Sequence, residues 1–357
     1  MSKNNRQHKL NEYHPHLREE ADYFNDENVS IQIRLYNKHN ILEFEPENTQ
    51  DGLALLSRYP DHNIWVNIDG INKDIVHRVC RHFNVHKLFI NDILSVGQRA
   101  KMDDIDDGTI FILVPVLRWD SITNVVTKEQ LSLIVGKNFI VTFQEEPHMD
   151  PFEGIRTAMR NVQHPLRQRN IDFLLYYLMD AVVDDYFNLL DELSVRIEEL
   201  DSKINSRRIP SWFLDRLSKV RKDVFFVKRT ISPVRDVVNS LWMKDIGLIE
   251  DTNKKYFKDI LDHILLAIEY NENYRETTVN LQDLYINQLN TKTNEVMKIL
   301  TIVTTLMAPA TLIGSIYGMN FEKMPLLDYR YGYEIILLLA FGCTIGMLWY
   351  FRKRRWF

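Results

Sequence analysis

Residues 248–308 pass without a glycine or a proline. Nothing interrupts a helix over about 60 residues there, and at ~1.5 Å per residue one unbroken helix would be about 90 Å long. Its first part suits water, with Lys254, Lys255, Asp259, Asp262, Glu269, Glu272, Arg275 and Glu276. Its last part does not. Residues 299–321 carry no formal charge, and ~20 apolar residues are what cross a bilayer. The pattern predicts one helix that leaves the cytoplasm and enters the membrane without interruption.

A second uncharged run covers residues 335–351. Tyr331 and Tyr333 precede it, Trp349 and Tyr350 close it, and "RKRRWF" follows. Aromatic residues at both ends fit the interfacial belt, and clustered cations mark the cytoplasmic side. Arg352, Lys353, Arg354 and Arg355, with Lys292 and Lys298 before the first run, therefore predict that both termini lie inside. The competing reading is a buried helical hairpin of a soluble protein. The charge bias and the aromatic anchors weigh against it.

The totals narrow the class. A mean hydropathy of -0.27 over 357 residues makes any lipid-facing part a minority. A net charge of -5 argues against a nucleic-acid binder that works through a general basic field. Cys80 and Cys343 are far apart and show no metal-ligand spacing, so a reducing cytoplasm is the simple expectation for the bulk of the chain. "MSKNNRQHKLNEYHPHLREE" has no apolar core of signal-peptide length. Residues 1–30 read as a mobile polar lead-in, and His14 and His16 as part of a solvated tail rather than a metal pair.

Between residues 31 and 145 the pattern is short and β-branched: "IQIRLY", "NIWVNI", "TIFILVPVLRW", "LSLIVG" and "NFIVTF" have strand character. The stretch "NKDIVHRVCRHFNVHKLFINDIL" among them has apolar residues at helical spacing. Residues 31–165 are thus expected to form an α/β domain. It holds no phosphate-cradling glycine loop and no nucleophile elbow, so nothing points to an enzyme. Residues 166–247 become helical. The acid-rich "NIDFLLYYLMDAVVDDYFNLLDELSVRIEELDSKI" and the basic "WFLDRLSKVRKDVFFVKRTISPVRDVVNSLW" read as two antiparallel helices with complementary charged faces.

In the first uncharged run, steps of three and four back from Gly318 collect Ser315, Thr311, Ala308, Thr304, Thr301, Met297 and Asn294 on one stripe. Almost every member is small or polar, whereas Ile302, Leu306, Leu312 and Ile313 lie elsewhere around the helix. Threonine hydroxyls can bond back to the carbonyl one turn earlier. Helix–helix packing through small residues and a pore around a symmetry axis both explain such a stripe. Spacing alone leaves both open. Pro309 inside the run removes one backbone donor, which membrane helices tolerate when neighbours satisfy the freed carbonyl.

At "YGMNFEKMP" the chain resembles the CorA family of magnesium transporters, whose signature is Gly-Met-Asn at the outer end of the first span. "TNEVMKILTI", "DAVVDDYFNLL", "NDILSVGQRAK", "QLSLIVGKNFIVTFQEE", the second span and the basic end all match the family pattern. The resemblance covers nearly everything beyond the first ~30 residues. It implies a homopentamer, each subunit with a cytoplasmic α/β/α sandwich, a stalk helix (248–298), a pore-lining span (299–320), an extracytoplasmic loop (321–332), an outer span (333–351) and a basic cytoplasmic tail (352–357) in the inner cell membrane.

The same resemblance assigns roles. Gly318, Met319 and Asn320 would form the selectivity filter, and Met297 and Leu300 an apolar constriction with Asn294 below it. Asp92 and Asp259 would hold regulatory Mg2+ between neighbouring cytoplasmic domains. Mg2+ dehydrates reluctantly, and a ring of neutral amides can hydrogen-bond an intact hexahydrate without the tight grip of carboxylates. Gly318 would leave room for the turn and for the hydrated ion.

Three departures stand out. Ala308 and Ser315 occupy pore-facing places where the family often has Met and Gly. In the loop, Glu322 and Asp328 are balanced by Lys323 and Arg330, with Leu326 where many relatives carry an acid. Capture of cations by an outer negative field is therefore expected to be weak. The expected function is channel-like transport of hydrated Mg2+, with Co2+ or Ni2+ as further ions, gated by intracellular Mg2+. The alternatives are a Zn2+ transporter of the same architecture and a membrane-anchored sensor or scaffold without a pore.

Overall fold

A computed structural model describes residues 29–106, 108–145, 150–206, 209–244, 247–319, 324–326 and 329–354. It divides into two compact units, Met1–Val279 and Asn280–Phe357.

The first unit is organised by one seven-stranded sheet. Its strands are β1 (Ser30–Tyr36), β2 (Ile41–Phe44), β3 (Asn63–Asp69), β4 (Lys101–Asp106), β5 (Thr109–Asp120), β6 (Val125–Val135) and β7 (Phe139–Gln144). Their order is β2-β1-β3-β7-β6-β5-β4. Every pair is antiparallel except β3 with β7. The five strands read from the sequence are present, joined by β2 and β4, which their side chains do not announce. β4 is "KMDDID", acidic and poor in β propensity. It exists because β5 offers it a backbone ladder, and its charges protect the sheet edge from pairing with another chain.

Helices cover both faces. On one lie α1 (Thr49–Leu56), α2 (Lys73–His82) and α3 (Lys87–Leu94). Val76, Val79 and Cys80 of α2 and Ile90 and Ile93 of α3 share one core with alternate residues of the strands. The helical stretch read from the sequence is in fact two helices. Asn84 takes a left-handed φ of 55° between them, a conformation that asparagine tolerates better than most residues. The side chain of Asn72 caps α2, accepting from the amides of Asp74 and Ile75 at 2.8 and 3.0 Å.

The other face carries α4 (Glu153–Arg160), α5 (Pro165–Gln168), α6 (Ile171–Ile204) and α7 (Phe213–Met243). Here α6 packs along β5, and the buried Tyr186 hydroxyl donates to the Pro115 carbonyl. Under β1, β3 and β7 this face is polar. Arg34, Asn67, Asp69, Thr142 and Gln144 are all buried, and the guanidiniums of Arg34 and Arg156 lie 5.3 and 5.7 Å from the Trp65 ring centre. Burial, and then the charge of Asp150, push the Asp69 carboxyl up to about 6. The arrangement is the α/β/α sandwich expected. Near the end of α6, Glu199 pairs with Arg216 at the start of α7.

The helix α8 (Lys254–Tyr317) is 64 residues long and has residues in both units. It begins six residues later than position 248, after a turn at Gly247 with a φ of 68°. In the first unit it buries Phe257, Ile260, Ile264 and Ala267, and the Asn271 amide donates to the Val224 carbonyl of α7 at 3.0 Å.

The second unit pairs the rest of α8 with α9 (Gly332–Lys353). Both helices are long and apolar enough to cross a membrane. Ile302 and Phe351 are buried, yet Met307, Leu312, Leu338 and Phe341 are each more than 60% exposed. A soluble hairpin core would hide such residues. These two helices need lipid or other protein around them.

Candidate ion path

The residues that α8 turns toward α9 are Ala310, Ile313, Gly314 and Tyr317, which meet Tyr333, Ile336, Leu337 and Ala340 around an apolar cavity of about 460 Å³. Buried Ile302 falls on that side too. At 3.6 residues per turn, Asn294, Met297, Thr301, Thr304, Ala308, Thr311 and Ser315 fall on the opposite side. All seven are exposed. Leu300, 56% exposed, borders the same stripe.

The three threonine hydroxyls on this stripe are already committed. Thr301 donates to the Met297 carbonyl at 2.8 Å, Thr304 to those of Leu300 and Thr301 at 3.0 and 3.1 Å, and Thr311 to that of Met307 at 2.9 Å. Each proton is spent inside the helix, so the lone pairs are what the oxygen can offer outward. The stripe is therefore an acceptor surface, and an acceptor surface suits the polarised water around a cation rather than an anion.

α8 stops at Tyr317. The Gly318 amide still reaches the Gly314 carbonyl at 2.9 Å and that of Met319 reaches Ile316 at 3.3 Å. A Cβ on Gly318 would sit 3.1 Å from the Gly314 oxygen. Gly318 does not have a left-handed φ, so the helix end makes no left-handed turn there. The Tyr317 hydroxyl ties the helix end to the Pro325 carbonyl at 3.2 Å. Met319 is 54% exposed. Asn320 lies outside the described residues.

The two acids assigned to regulation sit in the first unit. Asp92 belongs to α3, and its Oδ2 accepts from Lys101 Nζ at 2.6 Å. Asp259, on α8, is exposed. No hydrogen bond or ion pair joins the two among the described residues, and no three His, Cys, Asp or Glu side chains there form a metal cage. Both are hard oxygen donors within reach of solvent, the chemistry that suits an ion held by one or two carboxylates and its own water.

An acid not singled out from the sequence, Asp180, lies close enough to Asp259 to feel its charge. Asp180 and Asp184 are one turn apart on α6. Burial, and then the charge of Asp184, raise the Asp180 carboxyl to about 6, with Asp259 adding to the shift and His263 opposing it. The i, i+4 spacing of Asp180 and Asp184 was the available signal. Only the packing of α6 on α8 brings Asp259 and His263 to it.

At the basic end, Arg352, Lys353 and Arg354 are exposed and Lys298 is half-buried. Lys353 lies over the Trp349 ring at 5.1 Å and Arg354 over Tyr350 at 5.9 Å, so cations and interfacial aromatics share one helix end. Arg355 lies outside the described residues.

Residues 60–353 match the family model described as CorA-like Mg2+ transporter protein. The chain is 34% identical over 331 residues to a Thermotoga maritima protein named Cobalt/magnesium transport protein CorA, covering 92% of this chain and 93% of that one. A Photorhabdus laumondii protein named Zinc transport protein ZntB is 21% identical over 203 residues, 57% of this chain and 62% of the other. The fold matches the complete structure of the CorA magnesium transporter from Methanocaldococcus jannaschii with a TM-score of 0.79 at 20% identity, over 92% of this chain and 99% of that one. At that identity the likeness is one of fold.

Proposed function

This chain belongs to the CorA-like Mg2+ transporter family, and from that premise we propose that it conducts hydrated Mg2+ along the axis of a homopentamer. Membership makes it a membrane-bound transporter of divalent metal ions, which needs no enzyme chemistry. Co2+ and Ni2+ are further candidate ions. The observation that carries the reading is the acceptor stripe of α8, which faces away from α9 and leaves its hydroxyl lone pairs free.

In this reading five copies of the stripe line the bore and α9 forms the outer ring. Five Asn320 amides accept from the water shell of the ion at the outer mouth, beside Gly318 and Met319. Neutral acceptors hold a hydrated divalent ion without binding it so tightly that it cannot leave. Met297 and Leu300 narrow the inner end to an apolar constriction, with Asn294 below. Both termini lie in the cytoplasm, and Lys298 with Arg352, Lys353, Arg354 and Arg355 anchors that side of the inner membrane.

Asp92 and Asp259 would hold a regulatory Mg2+ between neighbouring cytoplasmic domains, where the bound ion supplies positive charge between acids that otherwise repel. The residues themselves set the balance. A ligand that binds one packing better shifts the population toward it.

Full-length protein in liposomes tests the reading. Asn320→Ala should abolish most Mg2+ flux while leaving assembly unchanged. Unaltered flux would leave the two spans as a mere tether, and parent protein that passes Zn2+ but not Mg2+ would transfer the chain to the zinc branch.

A further inference from the structure

Asp92 is not a free carboxylate waiting for a metal. Lys101 Nζ sits 2.6 Å from its Oδ2 and 4.0 Å from Asp103 Oδ2. One ammonium thus stands between two carboxylates, closer to the first. Lys101 and Asp103 are two apart on β4, so both project from the same face of the strand. The aromatic ring of Phe111, opposite Asp103 in the ladder, lies 5.9 Å from the ammonium.

The frame around this pair is rigid. The Asp92 carbonyl accepts from the side-chain amides of Gln130 at 3.0 Å and Gln98 at 3.4 Å. The Gln98 backbone N–H donates to Gln130 Oε1 at 3.2 Å. Lys128 Nζ holds the carbonyls of Gly97 and Gln98 at 3.2 and 3.0 Å, which pins the loop between α3 and β4. Lys101 itself is paired with Leu113 in the ladder. The backbones of Asp92 and Lys101 are therefore both held. What remains adjustable is the long lysine side chain.

We propose that Lys101 is a built-in competitor for the divalent cation at Asp92, released to Asp103 when that cation binds. This rests on the reading of Asp92 as a regulatory ligand. An ammonium hydrogen-bonded to Oδ2 occupies one of the two oxygens a cation would use, and its charge repels a divalent ion a few ångströms away. Asp103 receives the displaced ammonium within ion-pair distance, which lowers the cost of the exchange. Lys101 thereby sets the Mg2+ concentration at which the cytoplasmic domains respond. The Lys101 and Asp103 side chains are 33% and 49% exposed, so the pair is partly screened. The effect is about two- to fivefold in concentration.

The test is the Mg2+ midpoint for protection of the full-length protein from limited proteolysis, with Asp92→Asn as reference. Lys101→Met should lower the midpoint about two- to fivefold, and Asp103→Asn should raise it, because the ammonium loses its second partner. Lys101→Arg should keep the midpoint at or above the parent value. Simple damage to the domain would move Lys101→Met and Asp103→Asn the same way, which overturns the inference. So does a Lys101→Met midpoint unchanged while Asp92→Asn raises its own. If Asp92→Asn itself leaves the midpoint in place, the regulatory reading of Asp92 falls first.

Discussion

Replacing Asp69 by asparagine should stabilise the first unit, and should do so in a pH-dependent way. The carboxylate is 5% exposed on the polar inner face of the sheet. Its pKa is about 6, raised by burial first and by Asp150 second, with Arg156, the Asn67 amide and Arg34 opposing. An unfolded chain returns it to the ordinary 3.8. The folded protein therefore binds this proton more readily, and holding the group ionised at neutral pH costs about 3 kcal/mol before screening. Polarisation of the buried polar groups around it offsets part of that and leaves about 1–2 kcal/mol. The penalty is fully present above pH 6, fades as pH falls from 6 toward 4, and is gone below the unfolded value. Asparagine keeps the acceptor that Asn67 uses at 2.9 Å and carries no charge. In detergent-solubilised full-length protein, thermal unfolding followed by Trp fluorescence should show Asp69→Asn melting about 3–6 °C higher at pH 7.5. The gain should shrink to roughly half at pH 5, by the same linkage. A gain of equal size at both pH values, or a lower melting point at pH 7.5, would refute burial of charge as the cause.

Thr304→Val should leave helicity unchanged, because the hydroxyl bonds only carbonyls of its own helix. Liposome flux should nevertheless fall severalfold, since a methyl replaces an outward acceptor; unchanged flux would return the stripe to a packing role. Tyr186→Phe should cost about 1–2 kcal/mol in urea unfolding of the first unit, as the Pro115 carbonyl loses its buried donor. A neutral result there would mean that water satisfies the carbonyl.

The membrane part of this chain is the most legible in one dimension. Absence of Gly and Pro up to Ala308, and of charge beyond Lys298, is enough to foresee α8, because helix hydrogen bonds are local and bilayer thickness is a length. The small and polar stripe follows from the same periodicity, and its threonines bond back as their chemistry suggests. The soluble unit is less transparent. β2 and β4 have weak patterns, and the run from Asn72 to Leu94 hides its break at Asn84. Asp92 carries no sign in the sequence that Lys101 faces it.

Local sequence thus determined the long helix, the two spans and the residues that share one side of the first, since spacing along a helix converts directly into direction. Tertiary structure decided the strand order, the polar sheet face around Asp69, the meeting of Asp180 with Asp259, and the hold of Lys101 on Asp92. Those contacts join separate elements. Their strength depends on burial and on angstrom-scale distance, which arise only when a sheet and its covering helices pack.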